Sequence, residues 1–165
     1  MALVVETGAI ITGANTYVSL SFADTFCVDL GLTSWAALGT SSREAAILRG
    51  MAFVETMRFK GVKSDVDQPL KWPRDGVYDE DGFAIEPDAI PEALKKGTAR
   101  AAYEEGISPG ALQGSRETGI KRQKVDVLEI EYFTHSGNVQ STFDGINGYL
   151  AGLLRVDFGA DVRRT

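Results

Sequence analysis

The stretch from Ser41 to Gly61 limits the fold more than any other. Ser41 is followed three residues later by Glu44, the spacing at which two side chains satisfy the free N–H groups of a helix start. Ile47, Leu48, Met51, Val54 and Met57 then recur at helical spacing, with Phe53 beside them. Gly61 supplies a stop. The pattern predicts a helix from Ser41 to about Lys60, roughly 27 Å long. Its apolar stripe is broad enough to place it at the centre of a core.

Weaker signals flank it. Val4, Val5, Ile10 and Ile11 favour extended chain, interrupted by Gly8 and Gly13, and predict a short arm or edge strand. Ser19 or Ser21 can cap a helix running to Leu30, with Gly31 as its stop. Cys27 falls on the apolar face of that helix and reads as a small core residue. Pro91 suits the first turn of another helix, to about Glu105, stopped by Gly106. After a Gly-, Ser- and Pro-bearing loop, Ile120–Lys124 and Val127–Phe133 read as strands of a hairpin turning near Val125-Asp126. Ser141 can open a last helix to Leu154. Gly145, Gly148 and Gly152 lie inside it, each costing about 1 kcal/mol against Ala unless a close neighbour needs them small. The expected fold is mainly α: a core of about four helices, an inserted β-hairpin and extended N- and C-terminal arms. Residues 1–155 form one domain and residues 156–165 a polar tail.

Composition narrows the function. The chain has 165 residues, enough for one modest core. One Cys and one His allow neither an internal disulfide nor a structural zinc site. No apolar run approaches the roughly 20 residues of a membrane span. No basic segment followed by a long apolar run opens the sequence, so synthesis in a reducing, intracellular place is expected. The net charge is −6, and it is unevenly placed. Residues 61–90 carry three Lys or Arg against eight Asp or Glu, together with three of the five prolines and two Asp-Gly pairs. Such a segment reads first as a turning, solvated connection. Its length predicts a task, and Trp72, Val77, Tyr78, Phe83 and Ile85 predict that it packs down on the domain.

Catalytic patterns are absent or incomplete. No Gly-Lys-Ser/Thr of a phosphate-binding loop occurs. Gly106, Gly110 and Gly114 follow a helix, so they do not form a dinucleotide fingerprint. Asp79, Asp81 and Gly82 match three positions of a calcium loop, but Val77 and Asp88 stand at its first and twelfth. His135 reads as a surface residue. No metal or cofactor is expected. Lys121, Arg122 and Lys124, near Tyr132 and Phe133, have the basic-plus-aromatic makeup of a single-strand contact, although three charges are few on an acidic chain.

One stretch is more specific. Gln68-Pro69-Leu70-Lys71-Trp72-Pro73-Arg74-Asp75-Gly76-Val77, then Asp79-Glu80-Asp81-Gly82 and Ile90-Pro91, resembles a family found in tailed bacteriophages and prophages. Asn15-Thr16-Tyr17-Val18-Ser19, Trp35 with the helix after Arg43, Lys121 to Tyr132, and Ile146 to Leu154 extend the resemblance over most of residues 3–155. Asp126 stands where the family's hairpin turn often has Gly. The family carries two descriptions: DnaT-like single-stranded-DNA-binding protein, and head–tail connector of long-tailed phages. The second implies a virion subunit of the neck, made in the host cytoplasm, that forms a ring, typically of twelve copies, beneath the portal. It has no enzymatic activity and lets genomic DNA pass through its lumen. Its partners are copies of itself, the portal protein and the next neck or tail-completion protein, with no membrane.

On that second description, Arg155, Val156, Phe158, Arg163 and Arg164 are expected to dock on the portal. Trp72, Arg74, Tyr78, Phe83, Leu128, Ile130 and Tyr132 are expected at subunit interfaces. On the first, Lys121, Arg122 and Lys124 are the expected DNA contacts. A net charge of −6 suits a lumen that does not grip phosphate, so the connector reading is the one favoured by the sequence.

Overall fold

The computed structural model describes residues 2–113, 123–125, 128–130 and 137–155. Four helices dominate: α1 (Leu20–Asp29), α2 (Thr40–Val54), α3 (Glu92–Ile107) and α4 (Gly137–Leu150). One-turn 3-10 helices cover Thr33–Trp35 and Ala151–Leu153. Six short strands form three antiparallel pairs: β1 (Val62–Lys63) with β2 (Arg74–Asp75), β3 (Val77–Tyr78) with β4 (Ala84–Ile85), and β5 (Gln123–Val125) with β6 (Leu128–Ile130). In the last pair Val125, expected in the turn, faces Leu128 as a strand residue; residues 126 and 127, between the strands, lie outside the described residues. The chain is helix-rich with little sheet, in line with the expected mainly α fold.

Local signals set α1 well. The Ser19 hydroxyl accepts the Phe22 N–H at 3.1 Å, and Gly31 closes the helix at φ 66°. The other helix ends move, and α4 begins at Gly137, so Ser141, expected to open it, lies inside it. α2 begins one residue before Ser41, with Gly39 at its N-cap and no side-chain capping bond, so the Ser41–Glu44 box does not form. It also ends at Val54 rather than Lys60. There Glu55 turns toward Tyr17 and the 71–72 backbone, and Thr56 Oγ1 donates to the Phe53 carbonyl. Phe59 then lies extended, bridged antiparallel to Leu154. Gly106 does not stop α3. The helix runs through it to Ile107, and its missing Cβ leaves room for Leu38 and the Trp35 ring, which would stand 2.9 and 3.0 Å from a Cβ there.

α3 is the central helix, with Leu94 and Ala101 in one buried cluster and Ala99 and Ala102 in the other. Gly50 lets α2 approach it closely: a Cβ at residue 50 would sit 2.5 Å from the Ala102 nitrogen. The glycines expected inside the last helix divide. Gly145 and Gly148 lie in α4, with Cβ positions open or nearly so among the described residues, whereas Gly152 lies in the 3-10 turn after it, with Glu80 at 3.0 Å.

The N-terminal segment is no free arm. Val5 bridges Thr16, and the Glu6 carboxylate, buried at 1% exposure, accepts the N–H groups of Gly8, Ile10 and Ile11. Burying that carboxylate is tolerated because three donors satisfy it. The expected C-terminal arm, residues 156–165, lies outside the described residues.

Candidate functional site

The most elaborated region is the connection between α2 and α3. Trp72 anchors it, fully buried, with its ring edge-on to Phe59 at 5.9 Å. Trp72 was expected at a neighbour interface. Its indole instead fills the core of its own domain, where burial of so large a ring stabilises the fold. The Trp72–Pro73 peptide bond is cis.

Hydrogen bonds to the helices hold the segment in place. The Tyr17 hydroxyl donates to Glu55 Oε1 at 2.5 Å and accepts the Trp72 N–H at 3.1 Å. Glu55 also accepts the Lys71 N–H at 3.1 Å. Burial raises the Glu55 carboxyl above the usual range, while Tyr17 and Lys71 oppose the shift. Burial raises the Tyr17 phenol far above its ordinary value, reinforced by the Glu55 charge. Gln68, also buried, donates to the carbonyls of Leu70 and Pro73 and accepts the Asp65 N–H. The Gln-Pro-Leu-Lys-Trp-Pro-Arg run thus encodes a self-bracing loop.

Arg74 completes the brace. Its Nε donates to the Lys60 carbonyl at 2.6 Å, Nη1 to Lys71 at 3.1 Å and Nη2 to Gly61 at 2.7 Å. Burial lowers its pKa, although the Tyr17 and Glu55 oxygens favour the cation. Arg74, expected at a subunit interface, therefore directs three donors into its own chain. Tyr78 and Phe83, also expected there, are 56% and 71% exposed on the β3–β4 hairpin. Val62 and Val66 join them as large apolar side chains open to solvent. The Asp79 carboxylate accepts the N–H groups of Asp81 and Phe83, so the calcium-like sequence is a closed turn.

The remaining expected contacts scatter. Lys124, Leu128 and Ile130 fall in the β5–β6 pair. Lys121, Arg122, Tyr132, Val156, Phe158, Arg163 and Arg164 lie outside the described residues, as does His135. Arg155 is exposed, and its N–H donates to the Arg58 carbonyl at 2.9 Å, so the last described residue sits against the start of the connection. Cys27 is buried, and desolvation pushes its thiol up to about 11, which leaves it inert at neutral pH.

Among the described residues, no three His, Cys, Asp or Glu side chains converge as a metal site, and no helix is long and apolar enough to cross a membrane. Two open grooves, of about 420 and 400 Å³, flank α3. The first holds Ser41, Ser42 and Arg49 with no carboxylate or imidazole lining it. The second places Asp79, Glu80 and Glu92 near Lys96 and Tyr149.

Sequence reasoning missed one feature. Lys60, Lys63, Lys71 and Arg74 all donate to main-chain carbonyls: Lys60 to Gly152, Lys63 to Gln68, Lys71 to Met57, and Arg74 to Lys60, Gly61 and Lys71. Nothing in their spacing announces this, because the acceptors are set by the path of the loop.

The region is thus a hydrogen-bonded loop on a helix-rich domain. Over residues 1–165 the chain matches the family described as "Putative DnaT-like ssDNA binding protein", and it belongs to that family. No curated protein and no solved structure matches it.

Proposed function

We propose that the chain is a single-stranded-DNA-binding accessory protein with no catalytic activity of its own. The observation that carries this reading is the family match, which spans the whole chain. The net charge of −6 does not oppose it uniformly. All of that excess lies in residues 1–113, while residues 114–165 balance seven Lys or Arg against seven Asp or Glu. Lys121, Arg122 and Lys124 on this reading touch phosphates, and Tyr132 offers a base-stacking face. Anisotropy of a labelled oligothymidylate, titrated with the protein between about 50 and 200 mM salt, tests it. Three phosphate contacts on a single strand predict a log–log salt slope of about −2. No binding at the low-salt end overturns the reading.

A second reading is the phage neck adaptor: a homo-oligomeric ring in the virion, between portal and tail, through which genomic DNA passes without specific binding. Its support is the set of large apolar side chains exposed on the connection, Val62, Val66, Tyr78 and Phe83, which a neighbouring subunit would cover. On this reading Arg155 and the residues after it dock on the portal, and the other partner is the next neck or tail-completion protein. Native mass measurement at rising protein concentration separates the two. A closed ring that Phe83→Ser disperses supports the adaptor. A monomer that binds the oligonucleotide supports the first reading.

A further inference from the structure

Four carboxyl or carboxamide side chains stand directly before a glycine: Asp75-Gly76, Asp81-Gly82, Asp144-Gly145 and Asn147-Gly148. Such pairs can rearrange. The glycine nitrogen can attack the side-chain carbonyl carbon of the residue before it, and no glycine side chain blocks the approach. The fold treats the four pairs differently. Gly145 and Gly148 lie inside α4, where amides point along the helix to carbonyls four residues back. The Gly82 N–H donates to the Asp79 carbonyl at 3.2 Å. The Gly76 N–H instead donates to its own neighbour's carboxylate, Asp75 Oδ1, at 2.7 Å. Cγ lies one C–O bond from Oδ1, about 1.2 Å, so the nitrogen and the carbon it would attack are held close. Both residues are exposed, which gives water access. Gly76 sits at φ 69°, a conformation that favours glycine.

The pair stands at a junction. Asp75 ends β2 and faces Val62, while Val77 opens β3 and faces Ile85. Gly76 alone separates the two strands. The packing behind it is tight: a Cβ on Gly61 would stand 2.2 Å from the Asp75 carbonyl oxygen and 2.7 Å from Val77 Cγ2. One residue earlier, Arg74 holds the carbonyls of Lys60, Gly61 and Lys71. A longer main chain at residue 75 has little room here.

We propose that Asp75-Gly76 is a modification site at which the fold itself promotes isomerisation of aspartate to isoaspartate. The Gly76 nitrogen attacks Cγ of the protonated Asp75 carboxyl. The N–Cγ bond forms, and the amide hydrogen and the carboxyl hydroxyl leave as water. A second water then opens the five-membered imide. Breaking the Cγ–N bond restores aspartate. Breaking the bond between that nitrogen and the Asp75 main-chain carbonyl carbon leaves isoaspartate, whose main chain runs through Cβ and Cγ. Nothing is oxidised or reduced, and the mass is unchanged. The added methylene lengthens the chain between β2 and β3, so the Val62–Asp75 and Val77–Ile85 pairings no longer fit together around Gly61.

The test ages the full chain for weeks at mildly acidic pH, folded and in concentrated urea. Peptides are then mapped by chromatography and mass spectrometry. Isoaspartate is recognised by resistance to cleavage before Asp and by methylation with an isoaspartyl methyltransferase. In the folded protein, isoaspartate is expected at residue 75 at least about tenfold faster than at residue 81, the gain coming from alignment of the reacting atoms. In urea the two rates should converge. Equal rates in the folded protein, or a reaction at residue 75 that urea accelerates relative to residue 81, overturns the proposal. Aged wild type should develop a population that unfolds at lower temperature, in proportion to its isoaspartate, while aged Asp75→Glu should not. The wild-type comparison of residues 75 and 81 stands even if that variant folds poorly. An aged wild type that carries isoaspartate at residue 75 and unfolds unchanged overturns the effect on the strand junction.

Discussion

In the helical layer the cations meet carboxylates. Arg43 reaches Asp24 at 2.8 Å, Arg49 reaches the buried Glu105 at 3.1 Å, and Arg100 and Lys96 pair with Glu104 and Glu92 one turn away. In the connection the cations meet main-chain carbonyls. The two regions use the same side chains for opposite ends. Helices satisfy most of their own carbonyls, so a cation lying on one mainly meets an anion; only in the last turn of α3, where carbonyls are left over, does Arg49 Nη2 also donate to the Glu105 carbonyl, at 3.0 Å. A loop of irregular chain leaves many carbonyls unclaimed, and a Lys or Arg folded over it fills that need. The helical pairs cancel charge. The loop's cations brace the backbone, while Glu55 acts on Lys63, Lys71 and Arg74 through the field rather than through a direct ion pair.

The largest expected effect asks whether the connection is part of the core at all. Trp72→Ala should destabilise the domain by about 3–5 kcal/mol, measured by urea unfolding. Trp72→Phe should cost clearly less, because the indole N–H has no hydrogen-bond partner to lose. A loss below about 1 kcal/mol for the Ala variant would mean that the loop can leave without the helices and that the comparison joins two independent parts.

Next comes the pairing itself. Arg49→Ala leaves the Glu105 carboxylate buried with only the Gly110 and Leu112 N–H groups. The expected cost is about 3 kcal/mol, the low end for breaking a buried pair, since Arg49 is a third exposed. Lys63→Gln removes a cation held by one carbonyl and should cost less than about 0.5 kcal/mol. Equal costs for the two would erase the distinction between a buried ion pair and a carbonyl brace.

Gly50→Ala probes the helical side alone. Its Cβ would meet α3 backbone, which cannot rotate away, so about 1–3 kcal/mol of overpacking is expected. The smallest effect is a slope. Glu55 holds its proton more tightly when folded, because burial disfavours the carboxylate. Its contribution is therefore full below the unfolded value, near about 4.3, and falls as pH rises through the raised folded value. Glu55→Gln keeps an acceptor for Tyr17 and removes the titration, so the variant's unfolding free energy should change less with pH across that window. An unchanged slope would place the pH dependence elsewhere.

Much of the fold was legible. The four helices were readable from spacing, and the Ser19 cap and Gly31 stop of α1 appear where the sequence puts them. The antiparallel pairing of β5 and β6 was readable from the alternation of Leu128 and Ile130 with Glu129. The candidate site was less so. The Gln68–Arg74 motif stood out, but its residues were assigned outward to neighbours, whereas Trp72 and Gln68 are buried and Arg74 turns inward. A Trp-Pro-Arg run looks the same whether its ring faces a partner or its own core.

What the sequence by itself determined was local: the existence of the four helices and the cap and stop of α1, since a Ser hydroxyl or a Gly at positive φ acts within a few residues. The tertiary structure decided where α2 ends, what packs against α3 at Gly106, and which groups the loop's cations hold. Those outcomes depend on Phe59 meeting Leu154, on Trp35 meeting Gly106 and on Lys60 reaching Gly152, 92 residues away. A contact across that distance leaves no period in the sequence, because its geometry exists only once the helices have packed.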